Sequence, residues 1–401
     1  MFKRNILSEI KPFLEKDQII MITGARQVGK TSLLFILKKY FEQKQKKCFY
    51  LNLENPEYKN ALNQHPQNIF EIIPKTKTKQ YIFLDEAQYL DNPSNFLKFH
   101  FDENRKNLKI ITTGSSAFYL DKKFKDSLAG RKFIFELYGL NFYEFLTFKN
   151  QENIKQYFNK PVPKIYHNDL IKFWKEYITF GSYPEVALND DEEIKKKIIE
   201  GLALSYIKKD IYESGIKNSE KYFQVLKLLA MQTGQLVNAN QLANITKLSL
   251  QTIENYLFTM QKSYHLAFIK PFYQNLKKEL IKMPKVYFLD LGLRNYLLNN
   301  FNFIGKRMDS GQYLENVMFL RFLTNNKLNN INFWRTQNKN EVDFIINRRR
   351  AFEIKFNKNK FTVSKYKIFQ KKYSDIKLNF ICYDDIVDDL KNGKFDGFIT
   401  L

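Results

Sequence analysis

The chain has 401 residues, 44% of them hydrophobic and 27% charged, a balance that excludes a disordered chain. At this length we expect roughly two or three folded domains. Two cysteines cannot build a disulfide framework, and no apolar run reaches the roughly 20 residues that cross a bilayer, so we expect a cytoplasmic protein with no membrane partner. The net charge of +23 indicates a nucleic-acid partner, DNA rather than RNA, although codon bias in an AT-rich genome also produces lysine-rich chains.

The first third of the chain alternates short apolar runs with helix-like stretches, which is typical of a parallel α/β sheet. An amphipathic stretch follows the first run, as a right-handed crossover to a parallel strand requires. The predicted strands cover residues 19–23, 48–53, 81–85, 108–114 and 133–137.

The segment GARQVGKT follows the first predicted strand and opens the first predicted helix, which is the context of a phosphate-binding P-loop. Gly24 and Gly29 allow the backbone to bend around a phosphate, and the helix dipole adds to the attraction. Lys30 would contact the β- and γ-phosphates, and the Thr31 hydroxyl would bind Mg²⁺. We therefore predict ATP and Mg²⁺ as ligands. The predicted nucleotide-binding residues of this segment are Gly24, Ala25, Arg26, Gln27, Val28, Gly29, Lys30, Thr31 and Ser32.

Two further strands end in residues suited to the same chemistry. The run YIFLDE ends in Asp85, which can hold Mg²⁺ through water, and in Glu86, which can act as general base on the attacking water. The strand predicted at 108–114 ends in small hydroxyl residues, of which Thr113 or Ser115 can orient that water. An ordinary strand exit is also rich in Thr, Gly and Ser, so a purely structural interpretation stays open for this pair.

A turn of sequence LAGR contains Arg131, a candidate arginine finger. Such a group, donated to the nucleotide of a neighbouring subunit, is worth about 10³–10⁵ in kcat. A lone surface arginine is much commoner than a finger. If Arg131 acts in trans, the protein forms a homo-oligomer through its ATPase domain.

The motifs in this order, from the P-loop through YIFLDEAQ, TTGSSA and SLAGR to GSYPEVAL, resemble a large family of prokaryotic AAA-type ATPases. Members of that family carry a C-terminal domain long catalogued as of unknown function. The resemblance covers nearly the whole chain, and it implies a Gly-Arg pair where Arg131 stands. It also implies a hinge or packing role for the segment that starts with Gly181 and Ser182, where the family often shows two glycines.

The middle of the chain is predicted to be helical, first as a lid or linker and then as a winged helix-turn-helix module. Helices near 220–231, 239–244 and 250–263 are followed by a hairpin over 266–289. On DNA the second helix of the helix-turn-helix would enter the major groove, and lysines at the hairpin tip would contact phosphates. Winged helices also serve as protein–protein modules or as the lid of an ATPase, and both alternatives stay open. The tip lysines are Lys277, Lys278 and Lys282.

Four residues of the last hundred combine into a pattern with chemical content. Glu353 and Lys355 are two apart on a predicted strand and share one face, and a short turn places Asp343 opposite Glu353. Glu315 can join them from a preceding helix. Asp343, Glu353 and Glu315 would hold Mg²⁺, and Lys355 would activate water or stabilise charge at phosphorus.

This order of elements and the D…ExK spacing resemble the PD-(D/E)XK nuclease superfamily, with Val342 in place of the namesake proline. The resemblance implies a Mg²⁺-dependent nuclease-like domain, although many relatives with that fold have lost activity. A solvated, salt-bridged hairpin gives the same short pattern, so a structural interpretation stays open.

Together these patterns predict an α/β multidomain protein. Its predicted domains are a P-loop AAA-type ATPase domain at 1–150, a helical lid or linker at 151–215, a winged helix-turn-helix at 216–300 and a nuclease-like α/β domain at 301–401. We expect an ATP-hydrolysing protein that acts on DNA. The alternative is a nucleotide-dependent switch whose winged helix and C-terminal domain bind partners without nuclease activity.

Overall fold

The computed structural model describes residues 2–76, 78–114, 128–158, 160–273, 283–338 and 340–393. The chain divides into two compact units. The first comprises Met1–Gly139 with Lys262–Tyr264, and the second comprises Leu140–Gln261 with His265–Leu401. Across the described ranges, no helix is both long enough and apolar enough to cross a membrane.

The first unit contains a sheet of five strands, namely β1 (Ile19–Thr23), β2 (Lys47–Asn52), β3 (Gln80–Asp85), β4 (Leu108–Gly114) and β5 (Lys132–Glu136). All neighbours are parallel, in the order β2-β3-β4-β1-β5. Every residue of β1, β3 and β4 is buried, because helices cover both faces of a parallel sheet. The α/β class and the parallel sheet predicted from the sequence are confirmed.

The helices of the first unit are α1 (Ile6–Ile10), α2 (Lys30–Gln43), α3 (Pro56–Gln64), α4 (Ile69–Ile72) and α5 (Pro93–Asn104). Asn55 and Asn92 cap α3 and α5, since each side chain accepts a hydrogen bond from a backbone N–H of the first turn. Helix α2 follows β1 and buries Leu33, Leu34 and Leu37. These contacts fix the start of α2 at the carboxyl end of β1.

Within its described residues, the second unit begins with eight α-helices, which are followed by a strand pair and then by alternating helices and strands. The eight helices are α6 (Phe142–Phe148), α7 (Glu152–Lys155), α8 (His167–Phe180), α9 (Pro184–Ala187), α10 (Glu192–Ser214), α11 (Ser219–Met231), α12 (Ala239–Thr246) and α13 (Leu250–Lys262). The later helices are α14 (Leu291–Leu297), α15 (Ser310–Asn325), α16 (Lys367–Lys372) and α17 (Tyr383–Lys391).

The second unit also contains one mixed sheet of six strands. They are β6 (Leu266–Pro271), β7 (Lys285–Phe288), β8 (Ile331–Arg335), β9 (Glu341–Ile346), β10 (Arg350–Lys355) and β11 (Lys377–Cys382), in the order β11-β10-β9-β8-β6-β7. Strands β8, β9 and β10 are antiparallel, β11 is parallel to β10, and β6 is parallel to β8. The β6–β7 hairpin and the C-terminal strands therefore share one sheet, whereas the sequence assigned them to two domains. The boundaries of the four predicted domains stay predictions.

Candidate functional site

The residues between β1 and α2 form a tight loop. Gly24 passes so close to the end of β5 that a Cβ on it would lie 2.1 Å from the carbonyl oxygen of Leu137. Lys30 is buried, and its Nζ donates to the carbonyl oxygens of Gly24 at 3.0 Å and Ala25 at 2.7 Å. Ala25 and Val28 are buried, so they can offer a nucleotide only backbone groups. The loop thus combines an ammonium, tightly turned backbone and a helix N-terminus, which together suit a phosphate.

Asp85 ends β3 and is surrounded by hydroxyl groups. Its Oδ2 accepts hydrogen bonds from Thr31 Oγ1 at 2.7 Å and from the Tyr50 hydroxyl at 2.8 Å, and its Oδ1 accepts one from Thr113 Oγ1. Burial and the charge of Asp85 raise the pKa of Tyr50, so the phenol stays a donor. The two predicted Mg²⁺ ligands of this site, Thr31 and Asp85, are therefore in direct contact.

Glu86 follows with a backbone conformation that is uncommon for its type. Its φ of 59° and ψ of 49° lie in the left-handed region, which costs a non-glycine residue roughly 1–2 kcal/mol. Its N–H donates to Thr113 Oγ1 at 2.9 Å, and its carboxylate accepts a hydrogen bond from Gln88. Thr113 therefore positions Asp85 and Glu86 together. Ser115, the other predicted hydroxyl, lies outside the described residues.

Arg131 lies at the amino ends of the parallel strands, whereas the P-loop lies at their carboxyl ends. Lys132 pairs with Ile19 at the amino end of β1, whereas the P-loop follows Thr23, roughly 13 Å further along the strand. Arg131 Nε donates to Asp102 Oδ1 at 2.7 Å, at the end of α5. The arginine therefore points away from the P-loop of its own chain.

The Gly181–Ser182 segment is fixed by a buried carboxylate. Gly181 has a φ of 87°, and a Cβ on it would lie 2.5 Å from both carboxylate oxygens of Asp290. Asp290 caps α14 and accepts hydrogen bonds from Ser182 N at 2.6 Å, Ser182 Oγ at 2.8 Å and Leu293 N at 2.8 Å. Burial raises the pKa of Asp290, although these hydrogen bonds oppose the rise. Of the two roles implied for this segment, these contacts favour packing.

Three of the predicted C-terminal residues meet where β9 lies beside β10. Phe352 pairs with Phe344, so Glu353 and Asp343 are the next residues on the two strands. Lys355 Nζ lies 3.5 Å from Asp343 Oδ2 and contacts Glu353 Oε1. We name Asp343, Glu353, Lys355 and their neighbours Glu315, Glu341 and Lys285 the carboxylate centre.

Lys285, on β7, holds the other half of the carboxylate centre. Its Nζ lies 3.0 Å from Glu315 Oε1, 2.6 Å from Glu341 Oε1 and 3.7 Å from Asp343 Oδ1. Glu315 also accepts a hydrogen bond from the Tyr287 hydroxyl. The fourth predicted residue, Glu315, therefore faces Lys285 and Tyr287 on β7.

The electrostatics of the carboxylate centre follow from its burial. Burial lowers the pKa of Lys285, but the carboxylates around it raise that pKa by more, so the side chain stays an ammonium. Burial raises the pKa of Glu315 and of Glu353, and the charge of Asp343 raises both further. The Tyr366 hydroxyl is near enough to oppose the rise at Glu353. A further cation beside these carboxyl groups would stabilise their ionised forms.

The donor set suits a magnesium ion held by few protein ligands. Glu353 Oε2 is buried and forms no hydrogen bond of standard geometry with any described residue. Mg²⁺ usually keeps several waters and binds one or two carboxylates. Within the part of the chain that the structure describes, no three acidic, histidine or cysteine side chains are arranged to hold a metal. Asp343 and Glu353 fit the two-carboxylate case.

Three family profiles match the chain in succession. They are described as "AAA domain" at residues 16–146, "Domain of unknown function (DUF8612)" at 171–303 and "Domain of unknown function (DUF4143)" at 310–393. The "Uncharacterized protein MJ1544" of Methanocaldococcus jannaschii is 30% identical over 393 residues, which covers 94% of this chain and 84% of that protein. The chain belongs to the family of this archaeal protein and is an AAA-type ATPase.

Other relatives and solved structures are similar to this AAA ATPase. An "Uncharacterized protein" of Haemophilus influenzae is 29% identical over 366 residues, covering 88% of this chain and 84% of that protein. The Holliday junction branch migration motor RuvB of Thermotoga maritima is 15% identical with a TM-score of 0.34, over 66% of this chain and 88% of that one. The Aeropyrum pernix ORC1 protein in complex with DNA is 11% identical with a TM-score of 0.33, over 74% and 93%. Scores this low support no conclusion about function.

Two site residues of the AAA ATPase were not predicted from the sequence. Arg4 is buried and donates to the carbonyl oxygens of Val28 at 2.7 Å and Tyr138 at 2.8 Å, so it ties the P-loop to the chain after β5. Nothing in the N-terminal sequence marks it, since it is one basic residue among many. Lys285 does have a signal in the sequence. It opens the apolar run KVYFL, a pattern that indicates a buried strand, so a lysine there is expected to be buried too.

Proposed function

We propose that this AAA ATPase acts on DNA and that its C-terminal domain carries a Mg²⁺-dependent phosphodiesterase centre. The observation that carries the proposal is the contact of Lys355 with both Asp343 and Glu353, two buried carboxylates on neighbouring strands. The net charge of +23 supports a polyanionic substrate.

In this centre Asp343 and Glu353 would hold the ion. When bound, Mg²⁺ would polarise a phosphate oxygen and lower the pKa of a water ligand. Burial lowers the pKa of Lys355, but Asp343 and Glu353 raise it by more, so this residue acts as a cation and not as a base. Its side chain is 29% exposed, which leaves the ammonium free to stabilise negative charge that develops on a phosphate from solvent.

At the nucleotide site we assign Lys30 to the phosphates, Thr31 and Asp85 to Mg²⁺, and Glu86 to the attacking water. Thr113 supports this assignment because its hydroxyl contacts Asp85 and the N–H of Glu86, which orients the general base relative to the ion. ATP hydrolysis would then follow the ordinary P-loop mechanism, in which positioning and charge stabilisation supply most of the rate.

We assign DNA contact to the three helices α11, α12 and α13. Helix α13 begins at an N-cap, where Ser249 Oγ accepts the N–H of Thr252 at 3.1 Å, and it exposes Gln251 and Asn255. Amide side chains on an exposed helix can hydrogen-bond base edges in the major groove. The tip of the β6–β7 hairpin, with the predicted lysines, lies outside the described residues.

The test is plasmid nicking by the purified full chain in Mg²⁺ or Mn²⁺, with and without ATP. We expect Lys355→Ala to lower the nicking rate by roughly 100-fold or more, as loss of one charge-stabilising group does. Lys358→Ala is the matched control, because Lys358 is three residues away and 77% exposed. Equal nicking by wild type and Lys355→Ala would show that the cleavage does not come from this centre.

A second candidate is the nucleotide-dependent switch without nuclease activity. It is favoured by one observation, namely that the carboxylates of the centre already contact Lys285 or Lys355. Under this alternative no metal would support cleavage, while ATP would change the assembly state of the protein. Size-exclusion chromatography with and without ATP, beside the nicking assay, separates the two candidates.

A further inference from the structure

The carboxylate centre contains a carboxylate shared between two ammonium groups. Asp343 Oδ1 lies 3.7 Å from Lys285 Nζ, and Asp343 Oδ2 lies 3.5 Å from Lys355 Nζ. In two-metal phosphodiesterases one carboxylate commonly bridges two cations that lie about 3.5–4 Å apart. Asp343 has the environment of such a bridging ligand, with a lysine on either side.

The two ammonium groups differ in how firmly they are held. The Lys285 side chain is 1% exposed and also contacts Glu315 at 3.0 Å and Glu341 at 2.6 Å. The Lys355 side chain is 29% exposed and contacts Glu353 as well as Asp343. An incoming cation can therefore reach Asp343 and Glu353 from solvent, whereas the Lys285 position is closed.

The backbone around Lys285 is fixed on both sides of β7. Lys285 pairs with Ile269 of β6 on one side. On the other side Val286 N donates to Gln235 O at 3.2 Å, and Gly234 N donates to Val286 O at 2.8 Å. These hydrogen bonds keep the backbone of Lys285 in place, and rotation of its side chain away from the centre would leave buried carboxylates without their cation, which is costly.

We propose that the centre binds a single divalent ion, because Lys285 permanently fills the position of a second one. This inference rests on the proposed phosphodiesterase centre. Lys285 is then a positioning residue, which holds Glu315 and Asp343 and supplies the positive charge that a second ion would supply. Asp343 and Glu353 take the one exchangeable ion.

The experiment counts bound Mn²⁺ by electron paramagnetic resonance in the nucleotide-free full chain. Asp343→Asn is expected to bind one Mn²⁺ fewer than the wild type, which identifies the ion of this centre. Lys285→Met is expected to bind one Mn²⁺ more than the wild type, because Glu315 and Glu341 become available. Lys285→Arg keeps the charge and should bind as the wild type does.

The outcomes separate the inference from the proposed function. Two ions lost in Asp343→Asn, or no ion gained in Lys285→Met, would overturn the single-ion inference and leave the phosphodiesterase proposal intact. No difference between the wild type and Asp343→Asn would overturn the metal centre itself. If Lys285→Met does not fold, the wild-type spectrum decides, since a pair of ions at bridging distance gives an exchange-coupled signal and a single ion does not.

Discussion

At the scale of single residues, hydroxyl groups set the geometry of the nucleotide site. Three of them, from Thr31, Tyr50 and Thr113, donate to the Asp85 carboxylate. The carboxylate is therefore oriented before any ion arrives. Ion binding then does not have to bear the entropy cost of ordering this side chain. Thr113 does this and also holds the backbone of Glu86, so one side chain couples the predicted ion ligand to the predicted base.

A buried histidine should make the first unit sensitive to acid. His100 on α5 is 1% exposed, and burial lowers its pKa to about 4. Its Nε2 bonds to the Pro66 carbonyl oxygen at 2.9 Å, so the ring is neutral with the proton on Nε2. The unfolded chain would hold a proton on this ring below about pH 6.5.

We therefore expect the free energy of unfolding to fall as the pH falls from 6.5 towards 4, by about 1.4 kcal/mol per pH unit from this group. Protonation stabilises the unfolded chain because only that state accepts the proton in this range. Urea unfolding at pH 7, 6 and 5 measures the effect, and His100→Gln should flatten the slope. His65→Gln should change the slope much less, since His65 is exposed. An equal slope in wild type and His100→Gln would contradict the assignment.

The residues of the nucleotide site could be predicted because each lies a few positions in sequence from the strand that places it. The P-loop, Asp85 and Glu86 each follow an apolar strand within a few positions, and parallel strands bring their carboxyl ends to one edge of a sheet. The contacts of Arg4 and Lys285 could not be predicted, because their partners lie far away in sequence. Arg4 bonds to Tyr138, and Lys285 contacts Glu315 and Asp343, and a lone basic residue carries no sign of such a partner.

At the scale of elements, the turn between α8 and α9 depends on one buried carboxylate. Gly181→Ala should lower the free energy of unfolding by about 2–4 kcal/mol, because its φ is positive and the added Cβ meets Asp290 at 2.5 Å. Gly201→Ala is the matched control, since Gly201 lies in α10 with nothing within 4 Å of its Cβ. That change should be neutral or stabilising by about 0.5–1 kcal/mol. Chemical denaturation of both variants measures the difference, and similar losses would contradict this account.

Strand boundaries were predicted well where burial is continuous. Strands β1 and β4 begin and end as predicted, and β2 and β5 are each displaced by one residue. What the sequence did not indicate is that β6 lies beside β8. That contact joins Lys270 to Asn332, which are more than sixty residues apart in sequence. Neither strand has a sequence pattern that indicates which strand it will pair with.

At the scale of the whole molecule, the position of Arg131 bears on assembly. Since it lies at the amino end of β5, away from its own P-loop, a role of Arg131 in ATP hydrolysis would require the nucleotide of another subunit. Arg131→Ala should then lower ATP hydrolysis by about 10³-fold or more. Arg105→Ala is the control, because Arg105 is an exposed arginine of the same unit that packs over Phe101.

Mixing variants tests the same point without relying on loss alone. Lys30→Ala should be inactive because its loop lacks the phosphate-binding ammonium, but it retains Arg131. In a mixture with Arg131→Ala, each Lys30→Ala subunit can donate its arginine to an intact P-loop, so ATP hydrolysis should reappear. A mixture no more active than its two components would argue against action in trans.

The joining of β6 and β7 to the C-terminal strands has a consequence for how such a protein can be rearranged in evolution. A segment cut at residue 310, where the last family profile begins, would carry Glu315, Asp343 and Glu353 but leave Lys285 behind. It would also expose the edge of β8 that β6 covers. Because residues 234–237 hold β7 in place, the smallest portion that could move between genes with its charges balanced starts before Gly234. The hairpin and the C-terminal strands are therefore expected to be inherited together.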